Sequence, residues 1–180
     1  SRDLLWQSKN LKLTEMVATT LTNIENWFKE PTADNERPKL LSKLALIELC
    51  GWLEEWMDEV VREVNQSTLN DADWVEESII QKTHGFHYNK HFRPMLCNVL
   101  GEHGIRGIED DFEQNHSGDL ELIRSNLGTL WRLRCNLAHA DLAAHRRAQI
   151  NIFAPSWTKN QYRLISQRLD RFKICILSNI

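Results

Sequence analysis

The sequence predicts an all-α protein, a bundle of five to six helices, and three observations lead there. Glycine (7) and proline (4) are sparse for 180 residues, so few turns are encoded. Apolar residues recur at i, i+3, i+4 and i+7 and rarely alternate. The stretches between breakers are long enough for several helical turns, without an internal repeat or low-complexity tract. The length suits a single domain, residues 1–180, with a substantial core.

The elements follow in order. Leu13, Met16, Val17, Thr20, Leu21, Ile24, Trp27 and Phe28 follow the helical rule, which predicts a helix over 11–29. The polar stretch Pro31–Pro38 breaks it. A longer helix spans 38–65, with Pro38 in its first turn and Leu40, Leu41, Leu44, Ile47, Leu49, Trp52, Trp56, Val60 and Val64 as a broad apolar face. Gly51 inside that face lowers helix propensity by about 1 kcal/mol relative to alanine and admits close approach of another helix. A short helix covers 71–83, capped by Asn70 or Asp71. Residues 91–101 return to helix with Pro94 in the first turn, and the glycine-rich, acidic segment 104–119 reads as a surface loop. Ser117 or Asp119 caps a helix over 119–142, residues 143–154 connect, and Ile150–Phe153 has extended character with no partner strand. Ser156 caps a final amphipathic helix that runs to about 178.

Composition narrows the function. Hydrophobic residues make up 42%, which excludes a disordered chain. A net charge of -3 excludes a surface that coats nucleic acid indiscriminately. The charge is uneven, however: residues 37–83 are acid-rich, and residues 124–173 carry many arginines and few acids. Cys50, Cys97, Cys135 and Cys175 form no CxxC pair and read as buried free thiols in a reducing compartment. No apolar run approaches the ~18 residues of a bilayer span, and no secretory leader pattern opens the sequence. The expected setting is cytoplasmic, with no membrane partner.

The segment richest in chemistry is Arg132-Leu133-Arg134-Cys135-Asn136-Leu137-Ala138-His139. At about 100° per residue, Arg132, Asn136 and His139 share one helical stripe. Leu127, Leu130, Leu133 and Leu137 take the opposite arc, and Arg134 falls among them. A guanidinium cannot lose its proton, so Arg134 needs water or a partner there. A dimer seam supplies one; the plainer reading is that it snorkels past the leucines. Histidine moves protons at neutral pH and arginine stabilises phosphoryl charge. RNA carries its own nucleophile in the 2′-hydroxyl, so this set suffices to cleave it without a metal. A solvated helix face is the alternative.

The spacing Arg134-x-x-x-x-His139 resembles the R-x4-6-H signature of HEPN domains (higher eukaryotes and prokaryotes nucleotide-binding), and LRCNLAHAD is similar to the LRNxxAHG runs of that superfamily. Arg132 to His139 fits the longer spacing. The layout, a motif late in a small all-α chain with one amphipathic helix after it, resembles ribonuclease-L-like HEPN domains of bacterial defence proteins. The resemblance covers most of the chain in layout and about ten residues in motif. It implies a metal-independent endoribonuclease needing no cofactor, a homodimer with a composite site, and a toxin or defence role. It makes Arg134 and His139 the catalytic pair. Asn136 is a further catalytic candidate, although the family's polar residue often stands where this chain has Cys135. Arg132, Arg146 and Arg147 become RNA contacts, and an antitoxin or sensor protein becomes a partner. An acidic residue from an earlier helix often joins such sites; Glu48 and Glu55 are the candidates. Asp141 stands where many HEPN toxins carry a tyrosine, so this resemblance gives no support to regulation through that residue. A non-catalytic HEPN dimerisation or partner-binding module is the alternative, and a nucleotide sensor gripped by Arg132 and Arg134 is a third option.

Other constellations read more plainly. His84, His87 and His91 have zinc-like spacing, but loop or surface histidines suit Gly85 better; His87 and Lys90 would touch RNA if the segment borders the cleft. Trp27, Trp52, Trp56, Trp131 and Trp157 read as core, and Trp74 among acids as an interface anchor. Arg163, Arg168 and Arg171 read as a solvated face or a phosphate footprint, and Glu54, Glu55, Asp58, Glu59 and Glu63 as a solvated face or a contact for a basic partner.

Overall fold

The computed structural model describes the backbone of residues 2–139 and 153–180, and the side chains of 14–137 and 153–180. The described residues are all-helical: α1 (Arg2–Lys29), α2 (Arg37–Ser67), α3 (Ala72–Val75), π-helical turns at Glu76–Ile80 and Tyr88–Phe92, α4 (Arg93–Asn115), α5 (Asp119–His139) and α6 (Pro155–Ser178). No helix among them is long and apolar enough to cross a membrane. The chain divides into two compact units, Ser1–Leu53 with Arg132–Arg163, and Glu54–Trp131 with Leu164–Ile180. Helices α2, α5 and α6 supply residues to both.

In the first unit, Val17, Leu21 and Ile24 of α1 and Ala45, Leu46, Leu49 and Leu53 of α2 are buried at helical spacing. Trp52 meets Tyr162 edge-on with ring centroids 5.0 Å apart. The Tyr162 hydroxyl donates to the Thr14 carbonyl at 3.0 Å, and Lys159 pairs with Glu25 at 2.9 Å. Hydrogen bonds from Lys29 and Lys159 hold the Glu25 carboxyl below its usual range. The expected core is too broad here. Met16, Trp27, Leu40, Leu44 and Ile47 are exposed, because the apolar faces of α1 and α2 are wider than the arc their unit covers.

The second unit has an aromatic centre. Phe86, Tyr88, Phe92, Phe112 and Phe172 are fully buried, and Phe172 packs against Phe112 with centroids 5.0 Å apart. Such edge-on pairs add roughly 0.5–1.5 kcal/mol beyond the area they bury. Within it the Glu109 carboxylate, also buried, accepts from the Tyr88 hydroxyl at 2.8 Å, Arg93 Nε at 3.0 Å and an Arg124 amino nitrogen at 3.1 Å. Burial pulls its pKa up, yet hydrogen bonds from Arg93, Tyr88 and Arg124 outweigh that and leave it below the ordinary value.

Glu109 marks the main departure from the predicted elements. Residues 104–115 are not a loop but the second part of α4, with Ile105, Ile108, Glu109 and Phe112 buried on one face. Gly101, at φ 76°, supplies the kink after which the helix resumes. The 71–83 helix divides into α3 and a π-helical turn, and Asp71 caps α3 by accepting the Trp74 N–H at 3.0 Å. Ser156 is not the cap of α6: Pro155 is its first residue, and the Trp157 N–H bonds back to the Ala154 carbonyl at 2.9 Å. The ends expected at 140–142 and the connector up to 152 lie outside the described residues.

Candidate active site

Helix α5 positions the candidate residues. Its first turn carries Asp119 and Glu121, which suit a helix N-terminus. Asp119 is also held by Arg168 at 3.1 Å and Arg171 at 2.9 Å. Leu120, Ile123, Leu127 and Leu130 then bury one face at i, i+3, i+7 and i+10. From Trp131 the burial lapses: Leu133, Arg134, Cys135 and Leu137 are half-buried, while Arg132 and Asn136 are exposed.

The helix is continuous to His139, so angular positions follow directly. Positions 132, 136 and 139 lie within about 60° of one another, along about 10 Å of axis. Position 134 lies about 140° from position 139. One copy of α5 therefore aligns 132, 136 and 139 and turns 134 elsewhere. Neither arginine is without a partner of its own. The side chain of His139 and all of Arg146 and Arg147 lie outside the described residues.

Of the two acidic candidates, Glu48 is half-buried in the unit that holds the Arg132–His139 run. Glu55 belongs to the other unit and sits 3.8 Å from Arg62. Arg62 also binds Glu59 at 2.8 Å and Glu76 at 3.0 Å, and Lys173 pairs with Glu63 at 2.8 Å. The acidic run on α2 is thus not simply a solvated face, because Glu59 is buried and internally neutralised. Arg168 and Arg171, read from sequence as a solvated face or a phosphate footprint, are committed to Asp119.

Sequence reasoning set Asp58 in the acidic run and missed its perturbed carboxyl. Burial, reinforced by Glu55, Glu76 and Glu54 and opposed by Arg62, pushes its carboxyl up to about 7. The legible signal was four acids within one and a half helical turns of an otherwise apolar helix, with a single arginine following.

The histidine segment does not form one helical face. Gly85 takes φ 138°, and a Cβ there would stand 2.6 Å from His91 Cε1 and Trp131 Cζ3, so only glycine fits. His91 Nδ1 accepts the His87 N–H at 3.0 Å while its ring packs on Trp131 with centroids 4.7 Å apart. Burial, then Lys90, lowers the His87 pKa. No group of three metal-ligating side chains comes together among the described residues.

Comparisons with protein-family models, with curated proteins and with solved structures find no match to this chain.

Proposed function

We propose that this chain is a metal-independent endoribonuclease of the HEPN type, acting as a homodimer in cytoplasmic defence or as a toxin, under an antitoxin or sensor partner. The observation that carries the reading is the exposed pair Arg132 and Asn136, in register with position 139 on an unbroken helix. In the proposed reaction the 2′-oxygen attacks the adjacent phosphorus and the P–O5′ bond breaks. His139 removes the 2′-hydroxyl proton, and the same residue of a second copy protonates the leaving 5′-oxygen. The products are a 2′,3′-cyclic phosphate and a 5′-hydroxyl. An arginine offsets the charge of the phosphorane. Asn136 orients the imidazole or binds a phosphate oxygen. Arg134 is the arginine we back, entering the composite site across the two-fold axis, with Arg132, Arg146 and Arg147 holding RNA phosphates.

The test is cleavage of total tRNA and of an unstructured RNA in EDTA, comparing the wild-type chain with His139→Ala. Loss of about 10²–10⁴-fold in rate is expected for removing a general acid–base group, with fold and dimer retained. Equal cleavage by both proteins refutes the assignment. Arg134→Ala should cost more than Arg132→Ala; the reverse order transfers the catalytic role to Arg132. The second reading, a non-catalytic HEPN dimerisation module, is favoured by the exposed apolar positions of α2 and predicts indifference to His139→Ala.

A further inference from the structure

Helix α2 leaves one stripe uncovered. Leu40 is 60% exposed, Leu44 38% and Ile47 56%, and the next position in the series, Gly51, is exposed too. The spacing of four, three and four residues is that of a heptad seam. The opposite face of the same segment is sealed by Ala45, Leu46, Leu49 and Leu53. Gly51 weakens the helix, yet a Cβ there would meet nothing within 4 Å among the described residues, so no packing among them calls for glycine. A close-approaching second helix would call for it.

Charge selects the occupant. Lys43 and Glu48 flank the stripe on opposite sides, five residues apart, and neither forms an ion pair among the described residues. In a parallel helix pair, a residue at Lys43's heptad position faces the one five residues later on the other helix. Two-fold symmetry then joins Lys43 to Glu48 twice. An antiparallel pair sets Lys43 on the side of the other Lys43 and Glu48 on the side of the other Glu48, with no opposite charge in reach. We infer that Leu40–Gly51 is a homodimer seam, on which α2 pairs in parallel with α2 of a second copy of this chain.

This extends the dimeric part of the proposed function and is independent of its chemistry. Twelve residues of helix bury less than the roughly 1,600 Å² of a standard interface, so a dissociation constant on the order of 10 µM is expected. Sedimentation of the full chain across the micromolar range tests it. Wild type should dimerise. Ile47→Glu should weaken association by about 50-fold or more while keeping the helical circular-dichroism signal, since the site is exposed. Leu40→Ser on the same stripe gives a second reading should Ile47→Glu lose helicity. Lys43→Glu should weaken association by about 5-fold, and adding Glu48→Lys should restore it. A wild type that stays monomeric, or an Ile47→Glu variant with the wild-type constant, overturns the seam. Failure of the double charge reversal to restore association overturns the parallel register. A dimer that leaves RNA uncut counts against the nuclease alone, a dimer indifferent to Ile47→Glu counts against the seam alone, and cleavage by a monomeric wild type counts against both the seam and the composite site.

Discussion

From Leu120 to Leu130, α5 seals an aliphatic side chain from water at every third or fourth residue, whereas from Arg132 the exposed positions carry arginine and asparagine. Both stretches contain arginine, but in different circumstances. Arg124, in the first, bonds buried Glu109 at 3.1 Å and lies 5.2 Å over the Tyr88 ring centroid. Arg132 and Arg134, in the second, stand beside half-buried leucines where the core has let go. Residue type alone does not mark a site; the buried carboxylate that Arg124 holds ties that arginine to the fold.

That contrast can be broken first at Glu109. Glu109→Ala strands Arg124 and the Tyr88 hydroxyl, leaves Arg93 with its Glu102 pair alone, and should cost about 4 kcal/mol in urea unfolding. A loss below about 1 kcal/mol would show that the buried network does not hold the second unit. Next, Leu127→Ala should cost about 3 kcal/mol and Leu133→Ala about 1 kcal/mol, because only the former opens a sealed cavity. Equal losses would erase the distinction between the two halves of α5.

A further effect depends on pH. Asp58 titrates at about 7 when folded, against 3.8 for the ordinary carboxyl. Between those values the folded chain retains a proton that the unfolded chain has released. Stability therefore falls as pH rises from about 4 to about 7, and stays lower above that. Asp58→Asn should gain about 2 kcal/mol at about pH 8, allowing for solvent screening, and almost nothing near pH 4. A gain at low pH instead would contradict burial as the cause.

Periodicity made α2, α5 and α6 legible to within a few residues at their described ends, and side-chain chemistry made the Asp71 cap legible. It failed for 104–115, where glycines and acids suggest a loop while Ile105, Ile108 and Phe112 keep helical spacing. A Cβ at Gly107 would meet nothing within 4 Å among the described residues, so the helix tolerates glycine there without a packing demand from them. Leu40 and Ile47 were legible as apolar but not as exposed, because a pattern identifies a face and not what covers it. The Arg132–Asn136 stripe was legible because it is local to one helix. The partner of Arg134 was not, because nothing in local spacing specifies it.

The four cysteines differ in what reaches them. Cys50 and Cys175 are buried, and burial followed by Asp111 pushes the Cys175 thiol up to about 11. Burial followed by Glu102 raises Cys97 as well. Cys135, half-buried like Cys97, stands between Arg134 and Asn136 at the candidate site. With Cys97 replaced by serine, a thiol-selective fluorophore at Cys135 would give the protein an optical reporter at the candidate site, read through emission and quenching rather than through turnover.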